Sequence, residues 1–203
     1  MNPGPSRVSP RVVLASASAR RRELLARLGV DFQAIPSAID ETLEPGPLAP
    51  AITRLAERKA RAVAAKTDAD VVIAADTMVV IDGDALGKPA DTVEAAAMLR
   101  RLREREHEVI TGVAVVTPRD GRVRSDSEVT RVIMARYSDA LIQRYTSGGE
   151  TLDKAGSYAV QDLDGGLVDA VVGSYTNVVG LPLELTARLL REAGVTISGP
   201  ASP

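Results

Sequence analysis

Apolar and polar positions along the chain follow two different periods. Short apolar, β-branched runs predict strands, and apolar residues spaced three and four apart predict helices. Strands are predicted at 12–15, 71–75, 78–81, 109–116, 122–134, 157–161 and 166–172, with an extended segment at 32–39. Helices are predicted at 20–28, 51–66, 91–103, 138–145 and 182–193, and the proline-rich residues 44–50 are predicted to form a loop.

Turn residues between these runs indicate the fold class. Asp82-Gly83 and the stretch 118–121 are typical of hairpin turns, so several strand pairs should be antiparallel. Helices mixed with hairpins favour an α/β fold with a mixed twisted sheet over a purely parallel one. No internal repeat or low-complexity linker interrupts the pattern, so we expect a single domain over residues 11–197.

The two ends of the chain differ from this domain. Residues 1–10 are rich in Pro and Ser and lack the apolar segment of a signal peptide, so we expect a disordered tail. Residues 198–203 are expected to form a frayed tail. No apolar run reaches the length of a membrane span, and the expected location is the cytoplasm.

The amino-acid composition limits which kinds of metal site and binding partner are possible. The chain has no Cys and one His, which excludes disulfides, thiolate zinc sites and His-cluster metal sites. A metal would have to be a hard cation held by carboxylates and phosphate oxygens. The net charge of −2 and the aromatic content of 2% give no general attraction for nucleic acid or membranes and no base-stacking platform. Neither is expected as a partner.

A cluster of cations stands where the first helix begins. Ser18 is the expected N-cap, which places Arg20 and Arg21 in the first helical turn. A helix N-terminus disfavours cations, but an anion bound there reverses the effect. The arginines are therefore either solvated and paired with carboxylates or part of a phosphate site. Ser16 and Ser18 in the turn favour phosphate, although the glycine-rich spacing of a P-loop is missing.

Two further charges occupy apolar positions. Lys59 lies on the apolar stripe of the second helix, so its side chain either extends along the surface to water or points into a cleft. Asp76 interrupts the apolar run 71–81, where an unpartnered carboxylate is costly. It is a satisfied structural residue, a metal ligand or a general base.

Other candidates have ordinary explanations when taken alone. Glu41 fits a solvated loop and Lys88 a surface turn, while Asp153-Lys154 fits a surface ion pair. Gln161 ends a predicted strand, where its amide could contact a nucleotide base. His107 has no second histidine near it and is expected to be structural or exposed.

In their order along the chain, these stretches resemble the Maf family of nucleotide pyrophosphatases. The matching strings are LASASARR at 14–21, ADT at 75–77, GKP at 87–89, DKAGSY at 153–158 and GSYTNVVGLPL at 173–183. Each string is weak alone, but the ordered set covers roughly residues 12–193. The resemblance implies a two-lobed α/β fold similar to inosine triphosphate pyrophosphatases, with a central cleft. It also implies hydrolysis of nucleoside triphosphates to monophosphate and pyrophosphate.

The resemblance implies residue roles as well. Asp76 matches the catalytic acidic residue, and with Glu41 it is expected to hold a divalent cation, Mg²⁺ first, with Mn²⁺ or Co²⁺ as substitutes. The residues expected to bind phosphate are Ser16, Ser18, Arg21, Lys59 and Lys88. Arg20, Thr77 and Gln161 match the positions that separate a dTTP/UTP group from a methylated-GTP group, and here they follow the dTTP/UTP pattern.

Substrate choice and assembly stay open at this point. Asp162 stands where the family usually has Gly, beside the expected base pocket, and CTP is not excluded as a substrate. Clearance of inosine or xanthosine triphosphate is an alternative activity. A nucleotide-binding regulator of cell division with little turnover is an alternative of another class, because the family is associated with septum inhibition. A homodimer is expected by analogy only.

Overall fold

The computed structural model describes residues 10–148, 151–160 and 166–200. Within these ranges the strands are β1 (Val12–Leu14), β2 (Phe32–Ala34), β3 (Val71–Ile81), β4 (Asp84–Leu86), β5 (Glu106–Thr117), β6 (Arg122–Met134) and β7 (Val168–Val172). The helices are α1 (Ala19–Arg27), α2 (Leu48–Ala64), α3 (Thr92–Leu102), α4 (Asp139–Ser147), α5 (Tyr175–Val179) and α6 (Leu183–Glu192), with a 3₁₀ turn at Ala155–Ser157.

The strands form one mixed sheet, which confirms the predicted fold class. Its order is β2-β1-β3-β5-β6-β7, and β4 pairs with β3. β1 is parallel to β2 and β3, whereas the other pairs are antiparallel. The hairpin predicted at Asp82-Gly83 joins β3 to β4, and both residues adopt the positive φ that such a turn requires.

One edge of β3 is shared between two short strands. β1 pairs with Val71–Ile73, and β4 pairs with Val79–Ile81. Between them, at 74–78, no described residue pairs with β3 on that edge. β5 pairs with the opposite edge from Val72 to Val80. The split edge leaves an opening beside Asp76 and Thr77, where loops from both sides of the gap can meet.

Alternation along β3 separates the packing layers. Odd-numbered residues from Val71 to Ala75 pack with α1 and α6 in one core, which we call the first lobe. Val79 and Ile81 lie on the same face but pack with α3 and α4 in a second core, the second lobe. Even-numbered residues face α2. The two lobes therefore separate at Thr77.

Two predicted boundaries were wrong, for local reasons. α2 begins at Leu48, inside the predicted loop, because Pro50 falls in the first helical turn, where no backbone donor is needed. β3 runs unbroken through Asp76 and Thr77, which pair with Gly112 and Thr111 of β5. Hydrogen bonding to β5 therefore keeps these two polar residues in the strand.

The region after α4 also differs from the prediction. The strand predicted at 157–161 is absent from its described part, where a 3₁₀ turn ends at Ser157. Gly156 in this turn has a φ of 68°, and an added Cβ would lie 2.8 Å from Val79. α5 at Tyr175–Val179 was not predicted, since it is only five residues long. Across the described residues, no helix has both the length and the apolar character needed to span a membrane.

Candidate active site

A cleft of about 650 Å³ lies between the two lobes, at the split edge of β3. Segments from both lobes line it. They are 15–21 at the start of α1, 36–38 and Glu41 after β2, Lys59, 76–79 of β3, 87–88, 153–155, 158–160 and 178–180. Most residues predicted for the site therefore meet in one place.

The turn before α1 is held by its own serine side chains. Ser16 Oγ accepts a hydrogen bond from the Ser18 backbone N–H at 3.1 Å, and Ser18 Oγ accepts one from the Arg21 N–H at 3.3 Å. The predicted N-cap at Ser18 is thus confirmed. Each hydroxyl acts as an acceptor in these contacts and keeps a proton that could be donated to a phosphate oxygen.

The three consecutive arginines at the start of α1 point to different places. Arg22 is exposed. Arg20 donates to Asp153 Oδ2 at 3.0 Å and to the Asp153 carbonyl at 3.3 Å. Arg21 turns inward, where Nε donates to the Gly180 carbonyl at 2.9 Å and Nη2 to Thr77 Oγ1 at 3.0 Å. Burial lowers the pKa of Arg21, while the nearby charges of Asp76 and Glu41 act in the opposite direction.

Lys59 points into the cleft, so the interpretation in which it extends to water is wrong. Its side chain is 4% exposed, and Nζ lies 2.6 Å from Asp76 Oδ1 and 2.9 Å from Glu41 Oε1. Asp76 occupies an even position of β3 and therefore faces α2, which carries Lys59 on its buried stripe. The ammonium offsets the cost of burying the Asp76 carboxylate.

Asp76 retains one unused oxygen. Oδ2 is buried and has no hydrogen-bond partner among the described residues. Glu41 is half exposed beside it, and although burial raises its pKa, the hydrogen bond and charge of Lys59, with Lys88 and Arg21, lower it overall. Glu41 is therefore suited to carry negative charge near neutral pH.

This donor set fits a divalent cation that shares its shell with substrate. Mg²⁺ is commonly bound by one or two carboxylates, with water and phosphate oxygens completing the octahedron. Asp76 Oδ2 and the Glu41 carboxylate would supply two such ligands. The described residues contain no group of three or more acidic or histidine side chains placed to hold a metal. Any cation here would need oxygens from a bound nucleotide or water.

The remaining predicted residues fall into two groups. Lys88 is exposed at the rim of the cleft. Thr77 lines the cleft, but its hydroxyl is engaged by Arg21 and by Thr111 Oγ1 at 3.0 Å. Gln161 and Asp162 lie outside the described residues.

Several cleft residues were not assigned a site role from the sequence. Lys154 forms the expected ion pair with Asp153 at 2.9 Å, but its side chain is only 15% exposed and lines the cleft. Burial raises the pKa of Asp153, yet Lys154 and Arg20 outweigh this and lower it. The pairing of Arg20 with Asp153 joins residues 133 positions apart, and no local pattern indicates it.

His107 is structural, as one of its two expected explanations had it. It is buried, and Nε2 lies 2.6 Å from the hydroxyl of Tyr158, whose ring borders the cleft. Burial lowers the pKa of His107 to about 4. The ring is therefore neutral at physiological pH, and its role is to fix Tyr158.

Comparisons with known proteins agree with this geometry. A family model described as Maf-like protein matches residues 11–193. A dTTP/UTP pyrophosphatase of Pelotomaculum thermopropionicum is 46% identical, over 92% of this chain and 98% of the relative. A dTTP/UTP pyrophosphatase of Anaeromyxobacter dehalogenans is 50% identical, over 92% and 96%. The solved Ham1 protein of Staphylococcus aureus is 15% identical over 62% of this chain and 72% of that chain. Its TM-score with this chain is 0.46.

Proposed function

Because the chain belongs to the Maf family, we propose that it is a nucleoside triphosphate pyrophosphatase that hydrolyses dTTP and UTP to the monophosphate and pyrophosphate. Both relatives described above carry that activity in their names and match nearly the whole chain. The observation that carries the proposal is the buried Asp76 carboxylate with a free Oδ2, placed among cations in one cleft.

The cations of the cleft suit a triphosphate. Arg20, Arg21 and Lys88 would neutralise the phosphate chain and position it, together with the hydroxyl protons of Ser16 and Ser18. Lys59 has a second task, since it already binds both carboxylates. Its charge holds them in place and would also attract the phosphate chain, the role the family resemblance implies for it.

Asp76 would act on the attacking water. Oδ2 would accept a hydrogen bond from a water aligned with the α-phosphorus. It would take the water's proton as the water oxygen bonds to the phosphorus and the bond to the leaving pyrophosphate breaks. Asp76 and Glu41 would also hold Mg²⁺, since each carboxylate oxygen has two lone pairs. When bound, the metal would neutralise charge on the phosphate oxygens.

Base selection is assigned by the family pattern to Arg20, Thr77 and Gln161. A Gln amide presents both a donor and an acceptor, which match N3–H and O4 of uracil or thymine, and on rotation it matches cytosine. CTP therefore belongs in any substrate panel. The hydroxyl of Thr77 is already bonded to Arg21.

A substrate panel tests the proposal. The purified protein is mixed with Mg²⁺ and dTTP, UTP, CTP, GTP, methylated GTP, inosine triphosphate or xanthosine triphosphate, and pyrophosphate and orthophosphate are measured. We expect pyrophosphate, released fastest from dTTP and UTP. Orthophosphate as the only product would refute attack at the α-phosphorus, and preference for the inosine nucleotide would indicate the clearance activity.

The competing function is a nucleotide-binding regulator of cell division. Tight binding of dTTP or UTP without product in the same assay would favour it. The free Asp76 oxygen favours an enzyme, because a sensor gains nothing from a buried carboxylate beside bound phosphates. Cytoplasmic location, a homodimer and an influence on septum formation remain parts of the proposal that follow from the family analogy.

A further inference from the structure

A chain of hydrogen bonds runs from the cleft into the core behind Arg21. Arg21 Nη2 donates to Thr77 Oγ1 at 3.0 Å, Thr77 Oγ1 lies 3.0 Å from Thr111 Oγ1, and Thr111 Oγ1 donates to the Asn177 carbonyl at 3.1 Å. Thr111 is fully buried on β5, behind Thr77. None of the roles assigned to the family pattern includes Thr111.

The direction of every proton in this chain follows from its last member. A carbonyl only accepts, so the single hydroxyl proton of Thr111 must go to Asn177. Thr77 then donates its own proton to Thr111, the nearer of its two acceptors at 3.0 Å, whereas the Gly180 carbonyl lies 3.5 Å away. Both lone pairs of Thr77 Oγ1 are left as acceptors, and one of them faces Arg21. Such aligned hydrogen bonds strengthen one another in a buried site.

The far end of the chain is firmly anchored in α5. Asn177 is fully buried, and its Nδ2 donates to the Val109 carbonyl at 2.9 Å and to Thr130 Oγ1 at 3.0 Å. Gly180, just after α5, accepts from Arg21 Nε at 2.9 Å. The guanidinium is therefore held at two nitrogens, and both contacts lead back to α5.

We propose that Thr111 is a positioning residue that fixes the Arg21 guanidinium for phosphate through Thr77. Without the Thr111 acceptor, the Thr77 proton is free to turn toward Gly180 O, 3.5 Å away. The lone pair of Thr77 Oγ1 that accepts from Arg21 Nη2 is then no longer fixed in direction. This inference rests on the proposed function, because it takes Arg21 to be a phosphate ligand.

Thr111→Val tests it, since valine keeps the shape and removes the hydroxyl. We expect kcat/KM for dTTP to fall by about 5- to 10-fold, the size of one lost buried hydrogen bond. Thr111→Ser, which keeps the hydroxyl, should stay within about twofold of the parent. Thr146→Val is the matched control, because Thr146 is also buried and donates to the Ile142 carbonyl within α4.

A double-mutant cycle separates positioning from general damage. In an Arg21→Ala background, Thr111→Val should change kcat/KM by less than about twofold, because the arginine it acts through is gone. An equal loss in both backgrounds, or a loss matched by Thr146→Val, would overturn the proposal. If the wild-type protein releases no pyrophosphate, the proposed function fails, and the same cycle is measured as the affinity for pyrophosphate.

The wild-type protein gives an independent check that needs no variant to fold. Proton NMR should show the hydroxyl protons of Thr77 and Thr111 as slowly exchanging signals, because each is committed to a buried acceptor. Fast exchange of both hydroxyl protons with solvent would contradict the fixed chain.

Discussion

The two oxygens of Asp76 have different surroundings, which makes this residue testable on its own. Oδ1 is bonded to Lys59, and Oδ2 is buried with no partner among the described residues. Asp76→Asn keeps the shape but removes the charge and the proton acceptor. We expect kcat for pyrophosphate release to fall at least about 100-fold, as for loss of a general base.

Asp40→Asn is the control for this substitution, since Asp40 is exposed and its side chain accepts a hydrogen bond from the Thr42 backbone N–H. A full-rate Asp76→Asn enzyme would remove Asp76 from the chemistry.

Asp153 offers a second single-residue test, in which the substitution is expected to improve substrate binding. Its carboxylate occupies Arg20 and Lys154, two cations that line the cleft. A triphosphate entering the cleft must compete with this internal anion. Asp153→Asn should therefore lower KM for dTTP, by about 2- to 5-fold for a half-exposed pair. Asp139→Asn, which disturbs an exposed pair with Arg103, should leave KM unchanged. A higher KM in Asp153→Asn would show that Asp153 positions Arg20 instead.

Single site residues could be predicted from the sequence where their polarity differs from that of their neighbours. Asp76 and Lys59 stand out because each is a charged residue at a position where the pattern predicts an apolar one. In the structure Lys59 Nζ lies 2.6 Å from Asp76 Oδ1. Thr111 and Asp153 give no such contrast, since a threonine in a strand and an acid beside a lysine are ordinary. Their roles arise from pairings over distances of 34 and 133 residues.

At the scale of elements, Gly112 controls how closely α2 approaches β5. A Cβ there would lie 2.7 Å from Thr53 Cα and 2.8 Å from Thr53 N, both backbone atoms of α2. Gly112→Ala must push the helix outward, so we expect the free energy of unfolding to fall by about 2 kcal/mol. Lys59 should move outward with the helix, and we expect kcat to fall as well because Lys59 then no longer lies against Asp76. Urea unfolding and pyrophosphate release measure the two effects.

Gly148→Ala is the control for that prediction, because Gly148 has ordinary backbone angles and an added Cβ meets nothing within 4 Å. Unchanged stability in Gly112→Ala would mean that α2 tolerates a wider separation. The close contact was not predictable from sequence, since Gly112 reads as an ordinary strand residue. The existence of α2 and β5 was predictable, because their apolar periods are long.

Elements were harder to predict where tertiary pairing set their limits. β3 continues through Asp76 and Thr77 because β5 supplies its hydrogen-bonding partners. α5 has five residues, too few to show a period, and its ends are defined by Ser174, which caps it, and by Gly180 at a φ of 117°. The capped helices α1, α3 and α4 were placed closely, since Ser18, Asp91 and Ser138 carry a local signal.

At the scale of the whole molecule, the cleft follows from the sheet order. β1 and β4 share one edge of β3, and the gap between them separates the two lobes. The sequence patterns predicted strands and hairpins but not which edges would pair, because pairing depends on contacts across the chain. The family resemblance supplied the expectation of two lobes.

Stability of the whole fold should depend on pH through His107. Its pKa is about 4 in the folded chain, against 6.5 for an unperturbed histidine. Between these values the unfolded chain binds more protons than the folded one, so the free energy of unfolding must fall as pH falls. Above about pH 7 the imidazole is neutral in both states and contributes no pH dependence.

The size of that effect follows from the same two values. From near pH 7.5 to near pH 5, His107 should remove about 2 kcal/mol from the free energy of unfolding. His107→Gln keeps a polar side chain beside Tyr158 but cannot titrate, so the free energy of unfolding of this variant should change less over this range.

Urea unfolding of the wild-type protein and of His107→Gln at the two pH values gives the comparison. Acidic groups contribute to both curves alike, so only the difference between the curves reports His107. Parallel curves would show that His107 binds protons equally in the folded and unfolded chain, and therefore that burial does not lower its pKa.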